Sequence, residues 1–186
     1  MKNLLIVVIL FFHFSAMSAE RVDSVRIQTG LELMWKPMQL HYLFFIGKAI
    51  NLGNQRLQVN LMAGPCRGFV SGCGIEMDIF NRKDFNATIG LQYMYKSSIE
   101  DYIHEHEFGA PKYYLSKLNC ATTSLKIERR FSRISSVFSR LGWMSILSNG
   151  EYSLDEPDAG LENALRADIR NGILFSLGIN FNIGSK

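Results

Sequence analysis

The segment Glu100-Asp101-Tyr102-Ile103-His104-Glu105-His106-Glu107 sets two imidazoles two positions apart among carboxylates. In an extended chain such positions share a face, so His104 and His106 could present a nitrogen pair to zinc or copper, with a carboxylate beside them. A solvated acidic loop accounts for the same composition, since neither a third ligand nor its geometry is specified. The expectation is therefore no metal and no cofactor, with His104 and His106 the candidate loop ligands. Cys66 and Cys73 flank the Gly-rich run Arg67-Gly68-Phe69-Val70-Ser71-Gly72. An oxidising compartment would let them close as a disulfide; two free thiols are the alternative. With Cys120 the cysteines number three, and no second paired motif supports a structural zinc site. His41 stands beside Gln39 in an apolar run, but no Ser nucleophile motif accompanies it. No catalytic residue is assigned.

These residues need a scaffold, and the composition limits its kind. The chain has 186 residues, 47% hydrophobic and 20% charged, with a formal charge of +3. That excludes disorder. The small charge, not gathered into one basic face, speaks against nucleic-acid binding. At the N-terminus, Lys2, the apolar run Leu4 to Phe12 and the small residues Ser15-Ala16-Met17-Ser18-Ala19 read as a secretory signal over residues 1–19, followed by one domain over 20–186. No cysteine near the cut suggests a lipoprotein.

Elsewhere the dominant signal has period two. Ile173, Phe175, Leu177, Ile179, Phe181 and Ile183 alternate with Leu174, Ser176, Gly178, Asn180 and Asn182. The alternation extends backward through Leu165, Ala167 and Ile169, giving one long strand. Val25 to Trp35 and Phe85 to Tyr95 repeat it, and less regular runs fall at 38–50, 56–64, 73–80, 113–128 and 137–148. In the last of these, Ser139 and Ser145 interrupt the apolar face. The set is an all-β, eight-stranded antiparallel up-and-down barrel. Short connections near 51–55, 81–84 and 129–136 oppose longer ones at 65–72, 97–112 and 149–163, the last with no Lys or Arg. Pro37, Pro65, Pro111 and Pro157 all fall in connections, leaving the expected strands free of proline.

Alternation alone does not say which face meets water, since a soluble barrel turns its apolar face inward and a membrane barrel turns it outward. The polar faces favour the membrane. That of the last strand carries Ser, Gly and Asn, and the others carry charges of both signs: Arg26 with Glu32, Lys126 with Glu128, and the two carboxylates Glu76 and Asp78. Buried charge requires such pairing, so these six are assigned to ion pairs filling the lumen. Trp35, Tyr42, Tyr93, Tyr95 and Tyr113 lie toward the long-loop end, and Phe80, Phe85, Phe131 and Phe181 toward the other, as two interfacial girdles would.

With its signal, alternating segments, loop asymmetry and terminal strand Gly172-Ile173-Leu174-Phe175-Ser176-Leu177-Gly178-Ile179-Asn180-Phe181, the chain resembles the small eight-stranded outer-membrane barrels of Gram-negative bacteria, the outer membrane protein A transmembrane domain among them. The resemblance implies a cell outer-membrane location, termini toward the periplasm, long loops outside, contact with lipid and lipopolysaccharide, and insertion by the barrel assembly machinery guided by the last strand. It implies a structural or surface-interaction role without catalysis. Some such barrels hydrolyse lipid A, which makes His41 the residue to watch. A soluble periplasmic barrel binding a hydrophobic ligand is the other alternative, and eight strands leave too narrow a lumen for a wide porin.

Overall fold

The computed structural model describes residues 26–36, 39–52, 55–66, 68–82, 84–102, 112–132 and 134–183. Among the described residues, eleven strands and one helix follow in chain order: β1 (Arg26–Lys36), β2 (Gln39–Leu52), β3 (Gln55–Cys66), β4 (Gly68–Arg82), β5 (Phe85–Lys96), β6 (Ile99–Tyr102), β7 (Lys112–Leu115), β8 (Leu118–Arg130), β9 (Ser135–Ile146), β10 (Tyr152–Leu154), α1 (Ala159–Asp168) and β11 (Gly172–Ile183). Eight close into an antiparallel barrel in the order β1-β11-β9-β8-β5-β4-β3-β2, and the remaining three form a separate sheet, β10-β7-β6. The barrel is sealed where β1 pairs with β11, from Ile27 against Ile183 to Trp35 against Phe175. The closed barrel itself leaves no strand edge to template aggregation. The expected signal, residues 1–19, lies outside the described residues.

Strand parity sets the two faces. In β5, Asn86, Thr88, Gln92, Met94 and Lys96 are buried, while Phe85, Ile89, Leu91, Tyr93 and Tyr95 are exposed. The same holds around the wall: Leu31, Phe44, Ile75, Leu125, Leu141 and Ile179 are exposed, and Glu32, Glu76, Lys126, Glu128 and Arg140 are buried. A water-soluble barrel would invert this, because so large an exposed apolar surface is tolerated only against a partner or lipid. Among the described residues no helix is long and apolar enough to cross a membrane; strands do the crossing here. Trp35, Tyr42, Tyr93 and Tyr95, joined by Trp143, form an exposed girdle toward the loop end. Tyr113 is not part of it. Only 5% exposed, it is packed among Ile99, Leu115 and Leu165.

Three expectations are corrected. The last strand starts at Gly172 rather than near 165, because residues 159–168 are helical. Asp158 caps α1, its Oδ1 accepting from the Leu161 amide at 2.9 Å, and Leu161 and Leu165 share a stripe facing the small sheet. The long run 113–128 divides into β7 and β8, which belong to different sheets. The third connection is short rather than long, since β3 and β4 pair as far as Cys66 opposite Gly68, whose φ of +124° suits glycine. Pro65 therefore lies within β3, opposite Phe69. It is tolerated because the pairing of β2 with β3 runs only from Leu52–Gln55 to Phe44–Ala63, so no ladder on that side needs its missing N–H.

That hairpin also separates the two cysteines expected to pair. Cys73 lies opposite Leu61 while Cys66 is at the turn, and strand parity points Cys66 inward, against the interior apolar cluster, and Cys73 outward. Cys66, Cys73 and Cys120 are all free thiols. Side chains on opposite faces of a sheet cannot meet disulfide geometry.

Candidate functional site: the filled lumen and its loop cap

The lumen has a polar half toward the short-turn end. Glu76, on β4, is its centre. The Lys126 ammonium on β8 donates to Glu76 Oε2, and Arg140 Nη2 on β9 donates to Glu76 Oε1 at 2.7 Å. Arg140 Nε also lies 3.1 Å from Glu32 Oε1 on β1, and Ser176 on β11 donates to that same oxygen. Glu128 accepts from Ser136, and Thr122 donates to Gln92 Oε1 at 3.1 Å. Glu76, Lys126 and Arg140 have side chains 4% exposed or less, so each charge depends on the others for solvation.

Sequence reasoning paired charges along single strands, whereas the structure pairs them across the barrel. Glu32 meets Arg140, which was not singled out; Lys126 meets Glu76. Asp78 faces neither, accepting instead from Asn81 at 3.2 Å and Asn86 at 3.1 Å beside a bulge between Asp78 and Phe80. The Arg26 side chain, like His104 and His106, lies outside the described residues. A signal for Arg140 existed: it is the one cation on the inward parity of β9, at an even position like Ser136 and Phe138.

Beside and above the ion pairs the lumen is apolar. Phe138, two residues nearer the short-turn end of β9 than Arg140, packs against the network, with the Lys126 ammonium 5.5 Å and the Arg140 guanidinium 5.8 Å from its ring centre, in the range of cation–π attraction. Phe45 meets Phe138 edge to face at 5.9 Å. Two glycines make room for these rings: a Cβ on Gly178 would fall 2.2 Å from Phe138 Cζ, and one on Gly30 would fall 2.6 Å from Phe45 Cζ. Met34, Leu43, Met62, Met94, Met144 and Leu174 complete this layer.

A folded cap closes the loop end. The sheet of β6, β7 and β10 joins α1 around Ile99, Tyr113, Leu115 and Leu165. Its polar ties include Lys112 Nζ to Glu100 Oε1 at 3.2 Å and the Lys112 amide to Asp155 Oδ2 at 3.0 Å. On α1, the Glu162 carboxylate accepts from Arg166 Nη2 at 2.6 Å and from the Tyr152 hydroxyl at 3.0 Å. The Arg166 hydrogen bond, then that of Tyr152, holds the Glu162 carboxyl below its ordinary pKa. The C-terminal end of α1 reaches the barrel mouth. Lys36, at the top of β1, donates to the backbone carbonyls of Asp168 at 2.9 Å and Arg170 at 2.8 Å, while Lys96 lies 3.5 Å from Asp168 Oδ2.

His41 is 4% exposed and points into the lumen. Neither ring nitrogen has a hydrogen-bond partner among the described residues. No Ser–His–carboxylate chain is assembled on it there, and it faces away from the lipid a hydrolase would have to reach.

Comparison with known proteins adds the fold's relatives. No protein family and no curated protein matches the sequence. Among solved structures, a major outer membrane protein from Thermus thermophilus superposes with a TM-score of 0.53 at 8% identity, covering 87% of this chain and 100% of that one. The N-terminal β-barrel domain of Pseudomonas aeruginosa OprF gives a TM-score of 0.49 at 11% identity, covering 86% of this chain and 96% of that one. The chain has the fold of a small outer-membrane barrel: eight strands, apolar outside and filled within.

Proposed function

We propose that this protein is an integral barrel of the Gram-negative outer membrane, exported by a cleaved signal, whose contribution is structural or made through surface recognition by its folded loop cap, without catalysis. The observation that carries the reading is the combination of an apolar outer wall with a lumen closed at one half by the Glu76–Lys126–Arg140 network and at the mouth by α1. A lumen filled in this way offers no wide path for solutes. What differs from a plain membrane anchor is the cap, which uses two connections and three strands to build its own small core. A rigid, largely acidic surface is a recognition element rather than a mere linker. The partners implied are outer-membrane lipid and lipopolysaccharide around the wall, the barrel assembly machinery during insertion, and an extracellular molecule at the cap.

A membrane-impermeant amine reagent applied to intact cells tests this orientation. Lys112 and Lys117, in the cap, should be modified without permeabilising the cell. Modification of both only after the outer membrane is breached would overturn the reading. The hydrolase alternative makes a separate demand: replacing His41 by Ala would change the lipid A profile while the barrel stays folded. With His41 directed into the lumen, no change is expected.

A further inference from the structure

Ser139 interrupts the apolar face of β9, and the structure shows what that interruption makes. Tyr42, Leu33, Leu177, Ser139 and Ile127 are consecutive cross-strand neighbours on the outer wall. Ser139 is the one small residue among them. The adjacent row reads Phe44, Leu31, Ile179, Val137 and Arg129. Between the two rows runs an outward-facing, almost wholly apolar groove of about 710 Å³.

The groove has a direction. Its foot is at Arg129, next to the short-turn end of β8, and its head at Tyr42 and Phe44, toward the loop end of β2. Four strand spacings separate foot from head, a span of about 19 Å along the row, of which a strand tilt of about 40° turns about 12 Å into climb, against a hydrocarbon half-thickness of about 15 Å. Strand tilt makes such a lateral row climb the wall. The foot is cationic and interfacial. Arg129 is exposed, lies 5.8 Å from the ring of Phe131, and has no carboxylate partner among the described residues. Across Phe85 in the same row stands Arg82, 5.3 Å from the ring of Phe80. The aromatic rings set these guanidiniums at headgroup depth.

We propose that this groove is a binding site for an anionic phospholipid, with its phosphate on Arg129 and one acyl chain laid over Ser139 between Leu177 and Ile127. Charge complementarity decides the headgroup, because a zwitterionic lipid carries its own cation and gains less from an unpaired arginine. Shape decides the chain, because a filled wall would offer an acyl tail no recess. The inference needs only a bilayer around the barrel and is independent of what the cap recognises.

The test is native mass spectrometry of the whole barrel released from nanodiscs of phosphatidylcholine and phosphatidylglycerol mixed four to one. The expected result is a single retained lipid whose phosphatidylglycerol-to-phosphatidylcholine ratio is about five times that of the bilayer, as one interfacial arginine supplies. Arg129→Gln should return retention to the bulk ratio, and Ser139→Phe should remove retention of either lipid. Ser139→Leu serves if the phenylalanine variant does not give a heat-shifted, folded band. Retention at the bulk ratio by the wild type would overturn the proposal. So would enrichment that survives Arg129→Gln, or retention unaffected by filling the groove.

Discussion

Lys36 and Asp168 are 132 residues apart in the chain, yet the Lys36 ammonium donates to the Asp168 carbonyl at 2.9 Å and to the Arg170 carbonyl at 2.8 Å. One side chain on the barrel wall thus fastens the last turn of α1 across the mouth. The carbonyls at a helix C-terminus lack partners within the helix and carry partial negative charge, so a buried ammonium there satisfies both.

Replacing Lys36 by Met should therefore loosen the cap while leaving the barrel intact. Losing hydrogen bonds from a buried charge costs about 1.5–3 kcal/mol each, enough to raise the open population about tenfold or more. Limited proteolysis of the reconstituted protein should cut within 147–171 that much faster, with the heat-dependent gel shift unchanged. Cleavage at the wild-type rate would show that Lys36 does not hold the cap.

Glu76→Gln should destabilise the barrel by about 3–5 kcal/mol, because it leaves Lys126 and Arg140 buried and undercompensated. Urea unfolding in lipid vesicles measures this. Replacing Glu32, Glu76, Lys126 and Arg140 together by Leu or Met should cost much less than the single change, since it removes every charge of the network along with its desolvation. Equal losses in both variants would contradict the network.

The free thiols divide by face. In detergent, a bulky maleimide should modify Cys73 on the outer wall, with Cys66 and Cys120 reacting only after unfolding. Oxidised and reduced samples should show the same mass and gel mobility. A mass lower by two hydrogens without reductant would restore the disulfide.

The cap should weaken in acid through Glu162. Its folded pKa lies below the ordinary value, so its contribution is complete above the ordinary carboxylate range and is lost as pH falls through the lowered value. Protease resistance of the cap, followed on lowering pH, should lose an acid-range component in Glu162→Gln. An identical profile in wild type and variant would show that this contact is not coupled to the cap's closure.

Strand identity and the inward or outward sense of each side chain were legible in the sequence because both follow from local parity, as β5 and β11 illustrate. Partner choice was not legible. Glu76 lies 50 residues from Lys126 and 64 from Arg140, and only closure and stagger of the barrel bring them to one height. The misread segment is instructive for another reason. Leu165, Ala167 and Ile169 do alternate, but Asp158 as a cap, Leu161 with Leu165, and Glu162 four residues before Arg166 all carry helical spacing. Those signals outweigh three alternating positions.

The central claim is that the apolar face of the strands meets lipid and the charged face meets itself. It is tested most directly by fractionating cells and running the membrane-extracted protein on a gel with and without boiling in detergent. A band retained in the membrane, migrating differently before and after boiling, is the expected result. A protein released with the soluble fraction and migrating identically in both lanes would contradict the outward assignment of Leu31, Phe44, Leu177 and Ile179.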